Sequence, residues 1–205
     1  KSQPLSSAVL TEDQDNEQVR YGRSCPYCTM WQPVRCKHCH ECNRCVLRFD
    51  HHCFWIGTCV GQKNHGLFYC YLWSQTLLTL WAMQINGTAF RDDNSFDDWM
   101  SLNLVPLVLE LVLFFFNLFL VVMVLVHTYL GLTNQTTWEL TKKNKLTYMR
   151  NVPENVLPFS RGLKNNLIEF FTGELTQPDV IPTYAQLCIK REEETWMDNK
   201  YYSCC

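Results

Sequence analysis

Neither sign of charge dominates this chain: 18 Lys and Arg residues face 20 Asp and Glu, for a formal charge of −2. Without a cationic excess there is no reason to expect a nucleic-acid partner. A signal peptide is missing too, and the cysteines, although even in number, are interspersed with histidines. That pattern favours zinc in a reducing compartment over the disulfide framework of a secreted domain. An initiator methionine is also absent, Lys1 standing first, so the chain reads as a fragment. What is present is partitioned. Residues 1–66 are polar and cysteine-rich, 67–132 largely apolar, and 133–205 polar again.

The run from Pro106 to Leu130, "PLVLELVLFFFNLFLVVMVLVHTYL", exceeds the roughly 20 apolar residues that cross a hydrocarbon core. Asn103, Glu110 and Asn117 recur every seven residues and share one helical stripe, which should face other helices and not lipid. An earlier run, Leu67 to Ile85, is interrupted by Ser74, Gln75, Thr76 and Thr79, while Tyr69, Tyr71, Trp73 and Trp81 suit the membrane interfaces. Together the two runs predict a helical hairpin, with spans at 67–85 and 103–132 around a lumenal loop at 86–102. Arg20, Arg23, Arg35, Lys37, Arg44, Arg48 and Lys63 precede it, and Lys142, Lys143, Lys145 and Arg150 follow it. The loop holds Arg91 among Asp92, Asp93, Asp97 and Asp98, so the positive-inside bias puts both flanks in the cytosol. "NGT" at Asn86 is a glycosylation acceptor pattern. The polar stripes want partners beyond each other, and further membrane helices are expected outside this chain.

Eight of the twelve cysteines fall between Cys25 and Cys59. Cys-x2-Cys turns present ligand pairs to structural zinc, which takes four nitrogen or sulfur donors. Two zincs need eight ligands, and these cysteines with His38, His40, His51, His52 and His65 are a surplus. Spare thiols follow, although counting does not name them. Cys36 lies between Arg35 and Lys37 with no adjacent base, whereas Cys53 has His51 two residues back and Asp50 three back. A thiolate is the reactive form, and an imidazole oriented by an acid would generate it. On residues alone, Cys53 is equally a nucleophile or one more ligand.

"DHHC", set within Cys25-x2-Cys28-x9-His38-Cys39-x2-Cys42-x2-Cys45-x4-Asp50-His51-His52-Cys53-x5-Cys59, resembles the DHHC family of protein S-acyltransferases. "VGQKNHGLF" (Val60 to Phe68), "TTWE" (Thr136 to Glu139) and "RGLKNNLIEFF" follow in the family's order, so the likeness covers about residues 21 to 173. It implies one zinc on Cys25, Cys28, His38 and Cys45 and another on Cys39, Cys42, His52 and Cys59, both structural. Cys53 is then the nucleophile, His51 its base and Asp50 the group orienting His51. The implied reaction moves a palmitoyl group from palmitoyl-CoA onto Cys53, then onto a cysteine of a cytosolic or membrane-associated protein. Trp55 would close the mouth of a lipid cavity, and Arg35 would contact CoA phosphate or simply be solvated. Thr137 would support Asp50 unless its hydroxyl caps a helix, with Glu139 nearby. Asn166 would be a structural hydrogen-bonding residue. Phe54 stands where the family usually has Pro, Thr58 where it has Asn, and Leu157-Pro158-Phe159 lacks the usual Asn.

The expected fold is an integral membrane protein, mainly α: a cytosolic double zinc-finger domain (21–66) on a transmembrane bundle, with two of about four helices present. Residues 1–20 form a polar segment. Residues 133–205 form a cytosolic region whose Leu163, Leu167, Phe170 and Phe171 make the apolar face of a helix, under the spans or on the membrane. Cys204-Cys205 is either a terminal pair open to acylation or simply two exposed cysteines with no special role. The endoplasmic reticulum or Golgi is the family-level location. Two rivals remain: a non-catalytic, membrane-anchored zinc module that docks partners, and a thiol–disulfide oxidoreductase using unmetallated Cys-x2-Cys pairs.

Overall fold

A computed structural model describes residues 22–153, 156–182 and 186–187. The polar segment at 1–20 and the Cys204-Cys205 pair lie outside the described residues. The chain divides into two units, one made of Lys1–His65 with Leu130–Cys205, the other of Gly66–Tyr129.

The first unit is built on three antiparallel hairpins of two or three residues per strand. β1 (Arg23–Ser24) pairs with β2 (Trp31–Gln32), β3 (Lys37–Cys39) with β4 (Arg44–Val46), and β5 (His51–Cys53) with β6 (Thr58–Val60). Strands this short do not hold themselves together in water, so they need cross-links or a core from elsewhere. The core comes from the far end of the chain. Val34 is buried against Met149, Val152, Val156, Phe159, Ile181 and Leu187. A smaller cluster joins Phe49, Cys39 and Cys59 to Trp138. Trp138 belongs to helix α3 (Thr137–Lys142), and a fourth helix, α4, runs over Leu163–Thr172.

The second unit contains the two long helices, α1 (His65–Gly87) and α2 (Phe96–Thr133). α2 begins seven residues before the predicted span and is long and apolar enough to cross a membrane. Among the described helices it is alone in this. α1 forms where a second span is predicted, but its Ser, Gln and Thr residues leave it too polar to pass the same test. The predicted stripe is a seam of hydrogen bonds. Asn103 bonds both backbone polar groups of Arg91 at 2.8 Å. Asn86 Nδ2 donates to Glu110 Oε2 at 2.7 Å and to the Pro106 carbonyl at 2.9 Å. Asn117 Nδ2 reaches the Thr76 carbonyl at 3.2 Å. Asn86 is therefore a buried helical residue (9% exposed) whose amide is engaged, and the "NGT" pattern does not present an accessible acceptor.

α4 forms where the amphipathic segment is predicted. Its buried residues are Asn166 and Glu169, while Ile168 and Phe171 are exposed. Leu163, Leu167 and Phe170 are half-buried, and the two buried polar side chains have partners. Asn166 Nδ2 donates to the Leu132 carbonyl (2.7 Å) and Ser160 Oγ (3.0 Å), and its Oδ1 accepts from the Arg161 amide (2.8 Å). The helix ends at Gly173, whose φ of 70° suits glycine and whose Cβ position would lie 2.7 Å from the Gln62 carbonyl oxygen.

Candidate active site and metal centres

Alternation along a strand sends residues i and i+2 to one face and i+1 to the other. In β5 that puts His51 and Cys53 on one side and His52 on the opposite side. Across the hairpin His52 pairs with Cys59, just as His38 pairs with Cys45 across β3–β4. Each of these His–Cys pairs is joined by a Cys-x2-Cys turn. Cys25, Cys28, His38 and Cys45 form one group and Cys39, Cys42, His52 and Cys59 the other, with ligand atoms within 4.8 Å of one another. Each member of the second group lies fourteen residues after its counterpart, so the two fingers are one motif repeated and interleaved.

Both groups suit zinc. Bond lengths to sulfur and imidazole nitrogen require tetrahedron edges of about 3.5–3.8 Å. His52 Nδ1 lies 3.6, 3.3 and 3.6 Å from the sulfurs of Cys39, Cys42 and Cys59. His38 Nδ1 lies 3.2 Å from Cys28 Sγ and 3.9 Å from Cys45 Sγ. The Cys28 amide points at Cys25 Sγ (3.4 Å), as a turn that presents thiolates requires.

Two cysteines of the finger region remain outside these groups, Cys36 and Cys53. Burial, reinforced by the neighbouring Cys45 and Cys25, pushes the Cys36 thiol up to about 12, and no base serves it. Cys53 is buried and is followed by a 3-10 turn, Phe54–Ile56, closed by Gly57 in the left-handed region (φ 62°). That turn displays Phe54 (85% exposed) and Trp55 (72%). Asp50 is fully buried, and its Oδ2 accepts from His51 Nδ1 at 2.7 Å. Burial alone would lower the His51 pKa. The hydrogen bond and charge of Asp50, with a contribution from the Cys53 side chain, outweigh it and hold the imidazole above its ordinary value.

The other oxygen of Asp50 accepts the backbone N–H of Thr137 at 2.7 Å. The Thr137 hydroxyl is buried and has no hydrogen-bond partner among the described residues. The cap is its neighbour: Thr136 Oγ1 accepts from the Glu139 amide, and Glu139 Oε2 accepts from the Thr136 amide. His65, read in the sequence only as a surplus ligand, stands with Nε2 3.9 Å from Asp50 Oδ1 and its ring against Phe170.

Arg35 corrects a sequence expectation. It is not solvated, although it is among the residues that line a cavity. Its guanidinium is buried, with Nε and Nη2 on the two oxygens of Glu139 (2.7 and 2.9 Å) and Nη1 and Nη2 on Asn134. Bidentate pairing of this kind saturates the donors. The cations lining that cavity, of about 400 Å³, are Arg23, Arg35, Lys37, Lys142 and Lys145, with Trp138 and Tyr148 in its wall and no carboxylate among its described lining residues. Lys37 Nζ sits 3.4 Å from the Trp138 ring centroid. Its sequence signal is the basic residues on both sides of the apolar zone, the same residues that carry the membrane-orientation bias.

Residues 18–144 match the family model described as DHHC palmitoyltransferase. This chain belongs to the DHHC palmitoyltransferase family. It is 40% identical over 182 residues to Protein S-acyltransferase 10 of Arabidopsis thaliana, which covers 89% of this chain and 52% of that protein. It is 36% identical to a putative ZDHHC-type palmitoyltransferase 7 of Dictyostelium discoideum, over 94% of this chain and 45% of that protein. It is 40% identical to Palmitoyltransferase ZDHHC12 of Homo sapiens, over 74% and 56%. The chain thus spans about half the length of the curated relatives it matches.

Proposed function

We propose that this DHHC chain carries the acyl-transfer centre of a protein S-acyltransferase. The Nδ1–H of His51 donates a hydrogen bond to the Asp50 carboxylate, which leaves Nε2 free to take the proton of the Cys53 thiol. The thiolate attacks the thioester carbonyl of a long-chain acyl-CoA, the C–S bond to CoA breaks, and the departing CoA sulfur takes the proton back from His51. A substrate cysteine then gives its proton to His51 and attacks the acyl-Cys53 thioester, and Cys53 leaves and is reprotonated. Each step exchanges one thioester for another, so nothing beyond acyl-CoA is consumed. Zinc in the two four-residue groups would supply folding energy, with every coordination position filled by protein. The cationic cavity suits the phosphates of CoA. Trp138 lines it, and the amide of the preceding residue touches Asp50.

The reading rests chiefly on Cys53 standing outside both metal groups beside a His51–Asp50 pair at 2.7 Å. Trp55 would cover the mouth of the acyl site. α1 would join α2 as a second span, both flanks cytosolic, with further helices from outside this chain completing a lipid cavity in an endoplasmic reticulum or Golgi membrane. Each methylene of the chain buried there adds about 0.8 kcal/mol. The substrates would be proteins with cysteines near the bilayer. The test is Cys53→Ala in the intact protein: hydroxylamine-labile acyl label disappears while zinc stays at two per chain. Label that survives the substitution would leave a zinc-binding interaction module.

A further inference from the structure

Arg35 and Arg48 both adopt left-handed backbone angles, φ 66° and 43°, which are costly for a side chain of that size. Arg35 leads into β3 and Arg48 into β5, so each precedes the histidine-bearing strand of one finger. Their guanidiniums converge on one carboxylate, that of Asp179. Arg48 donates to it from Nε (2.6 Å) and Nη2 (2.5 Å), and Arg35 Nη1 stands 3.5 Å away. Arg161 adds a third guanidinium at 2.9 Å and holds the neighbouring Pro178 carbonyl at 2.8 Å. Glu139 neutralises Arg35, and Glu169 pairs with Arg48 and Arg161. Three guanidiniums thus meet three carboxylates, and Asp179 is the one acid among them that touches all three arginines.

Two routes lead from this carboxylate to Asp50. Arg35 holds Glu139, whose capping box sets the turn that aims the Thr137 amide. Arg48 lies two residues before Asp50 in the chain. Resting on the acyl-transfer reading above, we propose that Asp179 is a positioning residue for the reaction, clamping both fingers so that Asp50 meets His51 and the Thr137 amide. The charge is essential to the role: asparagine offers one acceptor oxygen and turns an N–H₂ group toward guanidiniums that only donate.

The intact, membrane-embedded protein tests this. Asp179→Asn should slow acyl-Cys53 formation at saturating acyl-CoA by about a hundredfold, as expected when a reacting group is displaced by about an ångström. The KM for acyl-CoA and the zinc content should not change. Asp179→Glu, which restores the charge, should recover the rate to within about tenfold of wild type. A wild-type rate in Asp179→Asn overturns the proposal, as does a glutamate variant no better than the asparagine one. Zinc loss in Asp179→Asn also overturns it, since the residue would then only hold the fold. A wild-type protein that takes up no label at all overturns the acyl-transfer reading itself.

Discussion

The backbone nitrogen of Thr137 lies 2.7 Å from Oδ1 of Asp50, across 87 residues of sequence. The contact gives the carboxylate a second anchor besides His51 and comes from the first turn of a helix whose N-cap is the residue before. A hydrogen bond to a charged group contributes about 1.5–3 kcal/mol.

The two parts of Thr137 can therefore be separated. Proline is tolerated at the first helical position, and Thr136 already has the extended angles (φ −118°, ψ 155°) that precede proline. Thr137→Pro should keep the helix and both zincs yet lower the rate of acyl-enzyme formation by about tenfold to a hundredfold, the equivalent of that lost bond. Thr137→Ala removes an unpartnered hydroxyl and should keep most of the activity. Single-turnover labelling of Cys53 measures both.

Lys142→Glu and Lys145→Glu should each raise the KM for acyl-CoA, by about tenfold for a loss of about 1.4 kcal/mol. Added salt should mimic the effect in the wild type. Arg35→Ala should behave differently, lowering the unfolding midpoint and leaving the salt dependence of KM unchanged, because its guanidinium faces Glu139 and Asn134. Steady-state titration at two ionic strengths and a melting curve separate the cases.

Asp179 titrates below its ordinary value. Burial opposes this, but the charges of Arg35, Arg48 and Arg161 and the hydrogen bond from Arg48 prevail. A carboxyl depressed in the folded state contributes stability that is complete above its unfolded pKa of 3.8 and is lost as pH falls through the lower folded value. The wild type should exceed Asp179→Asn by about 3 kcal/mol near neutrality. Denaturant melts in a descending pH series should show that margin closing only below pH 3.8.

Removing metal should act on the catalytic strand directly. His52 sits between His51 and Cys53 and pairs with Cys59 across β5–β6, so Cys59→Ala should release one zinc and abolish labelling. Atomic absorption would read about one zinc per chain, and circular dichroism would read a lower melting temperature, since metal binding and folding are coupled in such small domains.

Endoglycosidase should leave the mass of the intact protein unchanged, because the amide of Asn86 is bound to Glu110 and Pro106. Glu110→Ala should loosen the helix pair, seen as faster proteolysis between Gly87 and Phe96.

Much of this was legible in the residues. The ligand groups announce themselves because a Cys-x2-Cys turn needs its two cysteines at fixed spacing, and the seven-residue spacing of Asn103, Glu110 and Asn117 marks a face whatever they bond to. Contacts made by main chain or across long separations left no such trace. A backbone amide has no residue type, so Thr137 drew attention through its hydroxyl. The burial of Arg35 was hidden because its partners Glu139 and Asp179 lie 104 and 144 residues away. In α4, periodicity gives the angle between polar and apolar faces but does not mark Asn166 and Glu169 as buried, because their partners lie elsewhere in the chain.

The ionic cluster also bears on the order of synthesis. Arg35 and Arg48 leave the ribosome well before Glu139, and Asp179 follows only after the hydrophobic helix α2 has been made. Glu139 and Glu169 reach them first, so a chain cut short before residue 179 has every finger cysteine and still lacks the one carboxylate that touches all three arginines.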